Sequence, residues 1–273
     1  MTKQLAPTDA KGTKHMARTS KAVTVKTSNT SVALIDDALT NEVENLKQQI
    51  SQPTGARIKV EPSGNFVLPD GLNLGDEIQV AIINFVARNT YYSSPYNPNN
   101  MAPPDCYAIG TVRHDLLVPE DDSPNKQSDA CATCELNKFG SGSNGVGKAC
   151  SNRYLVAVLV VDPDNPGAHN APDAPVYLLD LPPTAIKSFE GAIRHTAGMM
   201  GHWAKALYTV TATPAGTYAK ISFGSPEPNR DYAVHFARRD EVHDMLHRKP
   251  DFSAPPPKPA GRGRVPAARP PRR

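Results

Sequence analysis

No run in this 273-residue sequence comes near the roughly 18 consecutive apolar residues that a membrane-crossing helix needs, which argues against a transmembrane span. The opening residues, MTKQLAPTDAKGTKHMARTS, hold no apolar stretch of the kind a secretory signal requires. An intracellular protein is expected, in the host cytoplasm if the source is viral. Cysteine is scarce: four residues, all between positions 106 and 150, are too few for a secreted domain stapled by disulfides. Hydrophobic residues make up 39% of the chain and aromatics 6%, while prolines number 27, so one packed core is expected with part of the chain left outside it.

Catalytic signatures are missing too. Gly142-x4-Gly147-Lys148 has the spacing of a phosphate loop, but Ala149 stands where a Mg²⁺-binding Ser or Thr belongs, and no apolar strand leads into it. A zinc deaminase needs His-x-Glu and Pro-Cys-x-x-Cys, and here Ala130 precedes Cys131 with no His-x-Glu upstream. No enzymatic activity is expected, although a processing activity without a recognisable signature stays open, as does a structural role in a virion.

What the chain does have is an uneven distribution of charge. The formal net charge is +3, yet residues 1–30 carry +5 and residues 253–273 carry +6, which leaves −8 between them. Residues 1–31 contain few large apolar groups, and residues 253–273 (SAPPPKPAGRGRVPAARPPRR) hold seven prolines. Both read as disordered basic tails flanking a single domain over 32–252. Such tails neutralise phosphates without needing a fold, and they serve equally as solvated ends.

Inside the domain, Ile35, Leu39, Val43, Leu46 and Ile50 form one helical face, with Asp36 and Asp37 in the first turn and Pro53 and Gly55 as the stop. That helix covers the domain or mediates self-association or partner binding. The period then changes to two. Strands are expected at 57–61, 66–68, 77–86, 106–112, 154–161 and 176–181, with the last two paired as a long hairpin. Pro182 and Pro183 open a helix whose apolar face is Ile186, Phe189 and Ile193. A hairpin over 208–213 and 218–223 and a short helix over 240–247 complete the pattern. Many strands and few helices indicate a β-rich (α+β) fold, a compact barrel with peripheral helices.

Cys131-x2-Cys134 is a knuckle: two thiolates in a tight turn can grip one tetrahedral ion. Cys106 lies before it and Cys150 after it, so four sulfurs can complete a closed structural site, and Zn²⁺ fits that donor set best. His114 is the substitute ligand should Cys106 point elsewhere. An iron–sulfur cluster, a redox dithiol at Cys131/Cys134 and four buried reduced cysteines remain alternatives. Around these residues, Phe85, Arg88, Tyr91, Tyr92, Tyr96, Tyr107, Arg113, Lys138, Phe139, Lys148 and Arg153 interleave rings and cations, the combination that stacks unpaired bases and tracks phosphates. Each aromatic taken alone is as well explained by packing.

The runs Pro104-Asp105-Cys106-Tyr107-Ala108, Cys131-Ala132-Thr133-Cys134-Glu135-Leu136-Asn137-Lys138-Phe139-Gly140-Ser141 and Gly145-Val146-Gly147-Lys148-Ala149-Cys150 resemble a pattern in bacteriophage-encoded single-stranded-DNA-binding or replication-accessory proteins. The resemblance spans residues 57–225 and includes a helix like 182–195 and a hairpin ending in an aromatic like Phe223. It implies an OB-like barrel with an inserted zinc-binding loop over 106–150, acting in phage DNA replication or recombination. Such binders often end in an acidic tail that recruits partners, whereas this chain ends in Pro and Arg. The alternative reading is a zinc-loop adaptor that binds proteins of the replication or transcription machinery.

Overall fold

The computed structural model describes residues 57–94, 103–165 and 167–250. By compactness the chain divides into residues 1–51 and 52–273, and all described residues belong to the second unit. Both expected tails, the expected helix over 35–50 and Tyr96 lie outside the described residues.

The described chain forms a small hairpin, β1 (Lys59–Val60) and β2 (Phe66–Val67), and a six-stranded antiparallel sheet. The sheet contains β3 (Glu77–Tyr91), β4 (Cys106–Gly110), β5 (Ser151–Val161), β6 (Tyr177–Leu181), β7 (Ala206–Ala215) and β8 (Tyr218–Pro228). Its order is β6-β5-β3-β7-β8, with β4 also paired to β3. The expected hairpin of the fifth and sixth strands forms, with Tyr154 opposite Leu181 and Val158 opposite Tyr177. The fold is thus β-rich α+β. Among the described residues the sheet does not close into a barrel, because β6 and β8, the ends of its five-stranded path, are not joined to each other.

β3 is five residues longer than its apolar run. Arg88, Asn89, Thr90 and Tyr91 are polar or bulky, but they pair with β5 on one side and β4 on the other, and these ladders extend the strand past the hydrophobic stretch. The register on β5 shifts between Ile82 and Asn84, a bulge that inserts one residue. A one-residue insertion exchanges the faces of everything beyond it. Ile78, Val80 and Ile82 therefore share a core with Phe85 and Ala87, while Ile83 and Val86 join the opposite one.

The first core lies under α1 (Ile186–Met200), which enters through Pro182 and Pro183 and ends at Gly201, a left-handed residue (φ 80°) whose N–H bonds the Ala197 carbonyl. Phe189 is the helix's main insertion. Its ring centroid lies 4.9 Å from Tyr154, 5.1 Å from Phe85 and 5.2 Å from Phe223, and Phe85 in turn meets Trp203 at 5.3 Å. The opposite face is covered by the C-terminal segment, in which the helix expected over 240–247 forms in shortened form as α3 (His243–Leu246), preceded by an unanticipated α2 (Tyr232–Ala237). Val242 and Leu246 are fully buried there against Ile83, Leu155 and Leu178. Among the described residues no helix is long and apolar enough to cross a membrane.

His235 fastens this cover. It is fully buried; its Nδ1 accepts from Asn229 Nδ2 at 3.0 Å and its Nε2 donates to Asn170 Oδ1 at 2.7 Å. Burial, reinforced by the nearby His169, pushes its pKa down to about 4. The folded protein therefore holds His235 neutral in a range where the unfolded chain, near 6.5, takes up a proton. Stability is expected to fall as the pH drops from about 6.5 towards 4. In urea titrations across that window, His235→Gln should make the fall shallower, and an unchanged slope would show that the fold does not depend on this neutral imidazole. Phe189→Ala should cost about 3–5 kcal/mol by the same measurement, since it empties the centre of the aromatic cluster.

Candidate functional site

Beyond the bulge, Asn89 and Tyr91 face a loop built from residues 111–150. Cys106 opens β4 directly opposite Tyr91. Cys131 is held by its N–H on the Leu117 carbonyl at 3.0 Å. Cys134 caps a 3-10 turn (Glu135–Asn137), accepting from Asn137 N–H at 3.0 Å. The chain then runs out to Gly145 and returns, and Cys150 N–H reaches the Leu136 carbonyl at 2.8 Å, one residue before β5. The excursion closes tightly. A Cβ on Gly142 would lie 2.1 Å from the Val146 carbonyl oxygen, so only glycine fits there.

All four cysteines are buried and free, and all four line one cavity of about 20 Å³ together with Asn89, Tyr91 and Asn137. That volume suits a single small occupant rather than an organic ligand. Among the described residues no group of three or more His, Cys, Asp or Glu is drawn together as a metal-holding cluster. The four thiols thus converge on one space without closing a coordination shell. Burial pushes the Cys150 thiol up to about 12, with the charges of the other three sulfurs adding to the effect and Lys148 opposing it. Cys131 is raised by burial and eased by a hydrogen bond from Asn89.

A buried amide network braces the cavity. Asn152 Nδ2 donates to Asn89 Oδ1 at 2.5 Å and to Asn137 Oδ1 at 3.0 Å. Asn137 Nδ2 donates to the Cys131 carbonyl at 2.9 Å. Lys148 Nζ closes the ring on Asn152 Oδ1 at 2.7 Å and Asn137 Oδ1 at 3.2 Å. His114 belongs to this network rather than to the cavity wall: its Nδ1 meets Asn89 Oδ1 at 3.0 Å and its ring packs 4.5 Å from Tyr154. Burial pushes its pKa down to about 4. Nothing in the spacing of these asparagines along the chain signals that they meet.

The expected nucleic-acid-binding residues fall into three groups. Phe85, Tyr107 and Arg88 are engaged internally. Phe85 sits in the aromatic cluster, and Tyr107 is buried with its hydroxyl bonded to Asp122. Arg88 donates to the Leu246 carbonyl at 2.8 Å and the Arg248 carbonyl at 2.9 Å, holding the C-terminal cover in place. Arg113 and Lys138 are exposed but bonded to their neighbours Asp115 (3.0 Å) and Glu135 (2.5 Å). The third group frames open surface. Tyr91, Tyr92 and Ser93 form one wall, and Ser141–Ser143, Val146 and Lys148 the other, of a polar cleft of about 660 Å³. Tyr92 is 50% exposed beside it, and Phe139 (82%) and Val146 (73%) stand out from the cysteine loop. Arg153 lies on the outer face of β5 and donates through Nε to Asp180 at 2.8 Å. Asp180 also pairs with Arg57 at 3.4 Å, a partner 123 residues away that no local pattern announces.

Comparisons with protein-family models, curated proteins and solved structures return no match for this chain. The site therefore stands on its own geometry. Asn152→Leu should leave Asn89, Asn137 and Lys148 short of partners and cost about 1–3 kcal/mol in urea unfolding; a neutral result would mean that water replaces the amide without loss.

Proposed function

We propose that this protein binds single-stranded DNA without enzymatic chemistry, in phage DNA replication or recombination, and that Zn²⁺ pins the loop forming one wall of the binding cleft. The observation that carries the reading is the juxtaposition of the four-thiol cavity with the cleft lined by Tyr91, Tyr92 and Lys148. Bases would stack on Tyr92 and Phe139, worth about 1–3 kcal/mol per base, while phosphates meet Lys148 and the outer-face arginines. The strand order supports an OB-like fold: β6-β5-β3-β7-β8, with α1 between β6 and β7, is the order of a five-stranded Greek-key barrel opened along one seam. On that scheme the cysteine loop is the connection between the first two strands, one of the loops with which OB folds hold oligonucleotides.

The donor set fits Zn²⁺. Cys106, Cys131, Cys134 and Cys150 would hold it, and the ion would supply cross-linking of the loop rather than an open coordination position. Metal analysis of the purified protein should find one zinc per chain, lost in Cys134→Ser. Absence of metal, or the visible absorbance of an iron–sulfur cluster, would overturn the zinc assignment.

Anisotropy titrations should show oligo-dT bound in preference to duplex, with affinity falling as salt rises. Tyr92→Ala should weaken binding by roughly tenfold or more. Equal or tighter duplex binding would overturn the single-strand reading. A second reading, a zinc-loop adaptor for replication or transcription proteins, is favoured by Phe139 and Val146, whose apolar side chains project from the loop. Partner capture that survives nuclease and is abolished by Phe139→Ser would select it.

A further inference from the structure

The two edges that fail to close the sheet, β6 and β8, frame a second cleft. The segment entering β1 lies along β6, with Ile58 N–H on the Leu178 carbonyl at 2.9 Å, and does not bridge to β8. The resulting seam, about 480 Å³, is lined by Arg57, Lys59, Arg153, Asp180, Pro182 and Tyr218. Lys59 is occupied by Glu61 at 2.8 Å, but the two arginines share the single carboxylate of Asp180, and Arg88 stands close enough to feel the charges of both Arg57 and Asp180. Two guanidinium groups paired to one carboxylate leave an excess of positive charge at the seam, to which the nearby Arg88 adds. The side chains of Arg57, Arg153 and Asp180 are 37–42% exposed, so solvent screens their pairing and leaves both forks open to exchange.

The seam and the first cleft share no lining residue, but one residue of each interacts with the other through space. Tyr92, which lines the cysteine-loop cleft, lies within electrostatic reach of Arg153, which lines the seam. Tyr218, 50% exposed, stands at the rim of the seam. Ring, paired guanidiniums and ring follow one another across the outer face, the alternation that a flexible strand of bases and phosphates requires. Planar guanidinium forks match phosphate oxygens in pairs, as a lysine ammonium does not.

We propose that the seam is a phosphate-binding extension of the same single-strand path, in which Asp180 orients Arg57 and Arg153 in the free protein and is displaced by backbone phosphate on binding. This rests on the single-strand reading given above. Asp180 is then a restraint on affinity as well as a positioning residue, since each phosphate that enters must compete with it.

The test uses the full-length chain and oligo-dT of about 6 and about 20 nucleotides, titrated by fluorescence anisotropy at several salt concentrations, with melting curves to verify folding. The double variant Arg57→Gln/Arg153→Gln should bind the long oligonucleotide at least roughly tenfold more weakly and the short one nearly as well as wild type. Its slope of log affinity against log salt should be shallower by about 1.4, roughly 0.7 for each phosphate no longer neutralised. Asp180→Asn should do the opposite and tighten long-oligonucleotide binding severalfold, which a purely structural salt bridge would not do. Wild-type affinity and slope in the double variant, or weaker binding by Asp180→Asn, would overturn the seam while leaving the single-strand reading intact. Failure of the wild-type protein to bind dT of either length would overturn both, and it shows in a different arm of the experiment.

Discussion

The two-sided hydrogen bonding of β3 is the constraint on which the described structure depends. Its first five residues pair with β7, its last five with β4, and β5 follows it along nearly its whole length. Every backbone group in a buried strand needs a partner, so a strand that satisfies both edges at both ends cannot slide or rotate without breaking several ladders together. The bulge at Ile83 is the one irregularity in that arrangement, and the candidate site is its consequence. Without the inserted residue, Asn89 and Tyr91 would point towards the C-terminal cover, and Arg88 and Thr90 towards the cysteines.

The cysteine loop is an unusual neighbour for a hydrophobic core. It is rich in glycine and serine, and where it meets β3 and β5 three buried asparagines, Asn89, Asn137 and Asn152, stand where a typical core would place aliphatic groups, with Lys148 bonded to two of them from the exposed side. Such a network is costly if incompletely satisfied and highly specific if complete. Here each of the three amides has at least two partners, and the Lys148 ammonium supplies the donor for Asn152 Oδ1 and a second one for Asn137 Oδ1. The network thus fixes the relative positions of β3, β5 and the loop, and with them the distance between the Tyr92 wall and the Lys148 wall of the cleft.

Charge is arranged locally rather than by domain. The central segment is acidic in sum, which taken alone argues against a polyanionic partner. Many of its basic groups are neutralised by acids nearby in the chain, such as Arg113 with Asp115 and Lys138 with Glu135. The outer face of β5 and β6 differs, because there Arg57 and Arg153, from distant parts of the chain, share the one carboxylate of Asp180. Field at a surface follows such local imbalances, not the net charge of the chain.

The sequence by itself determined the elements whose signal is local. Strand periodicity at 77–86 and 154–161, the Pro182-Pro183 start of the helix and the hairpin around Pro214-Ala215-Gly216 depend on neighbours within a turn or two, and all appear in the structure. The grouping of four cysteines in 45 residues was likewise legible, because a knuckle and its flanking thiols lie close along the chain. Tertiary structure alone decided the rest. Phe85, Arg88 and Tyr107 have the residue types of a nucleic-acid surface, yet the bulge and the strand pairing turn them to internal partners. Arg57 and Asp180 carry no pattern at all and meet only because the sheet brings residues 123 positions apart to one edge. Composition and periodicity report which side chains can be buried; which face a given residue occupies is set by register, and register is a property of pairs of strands.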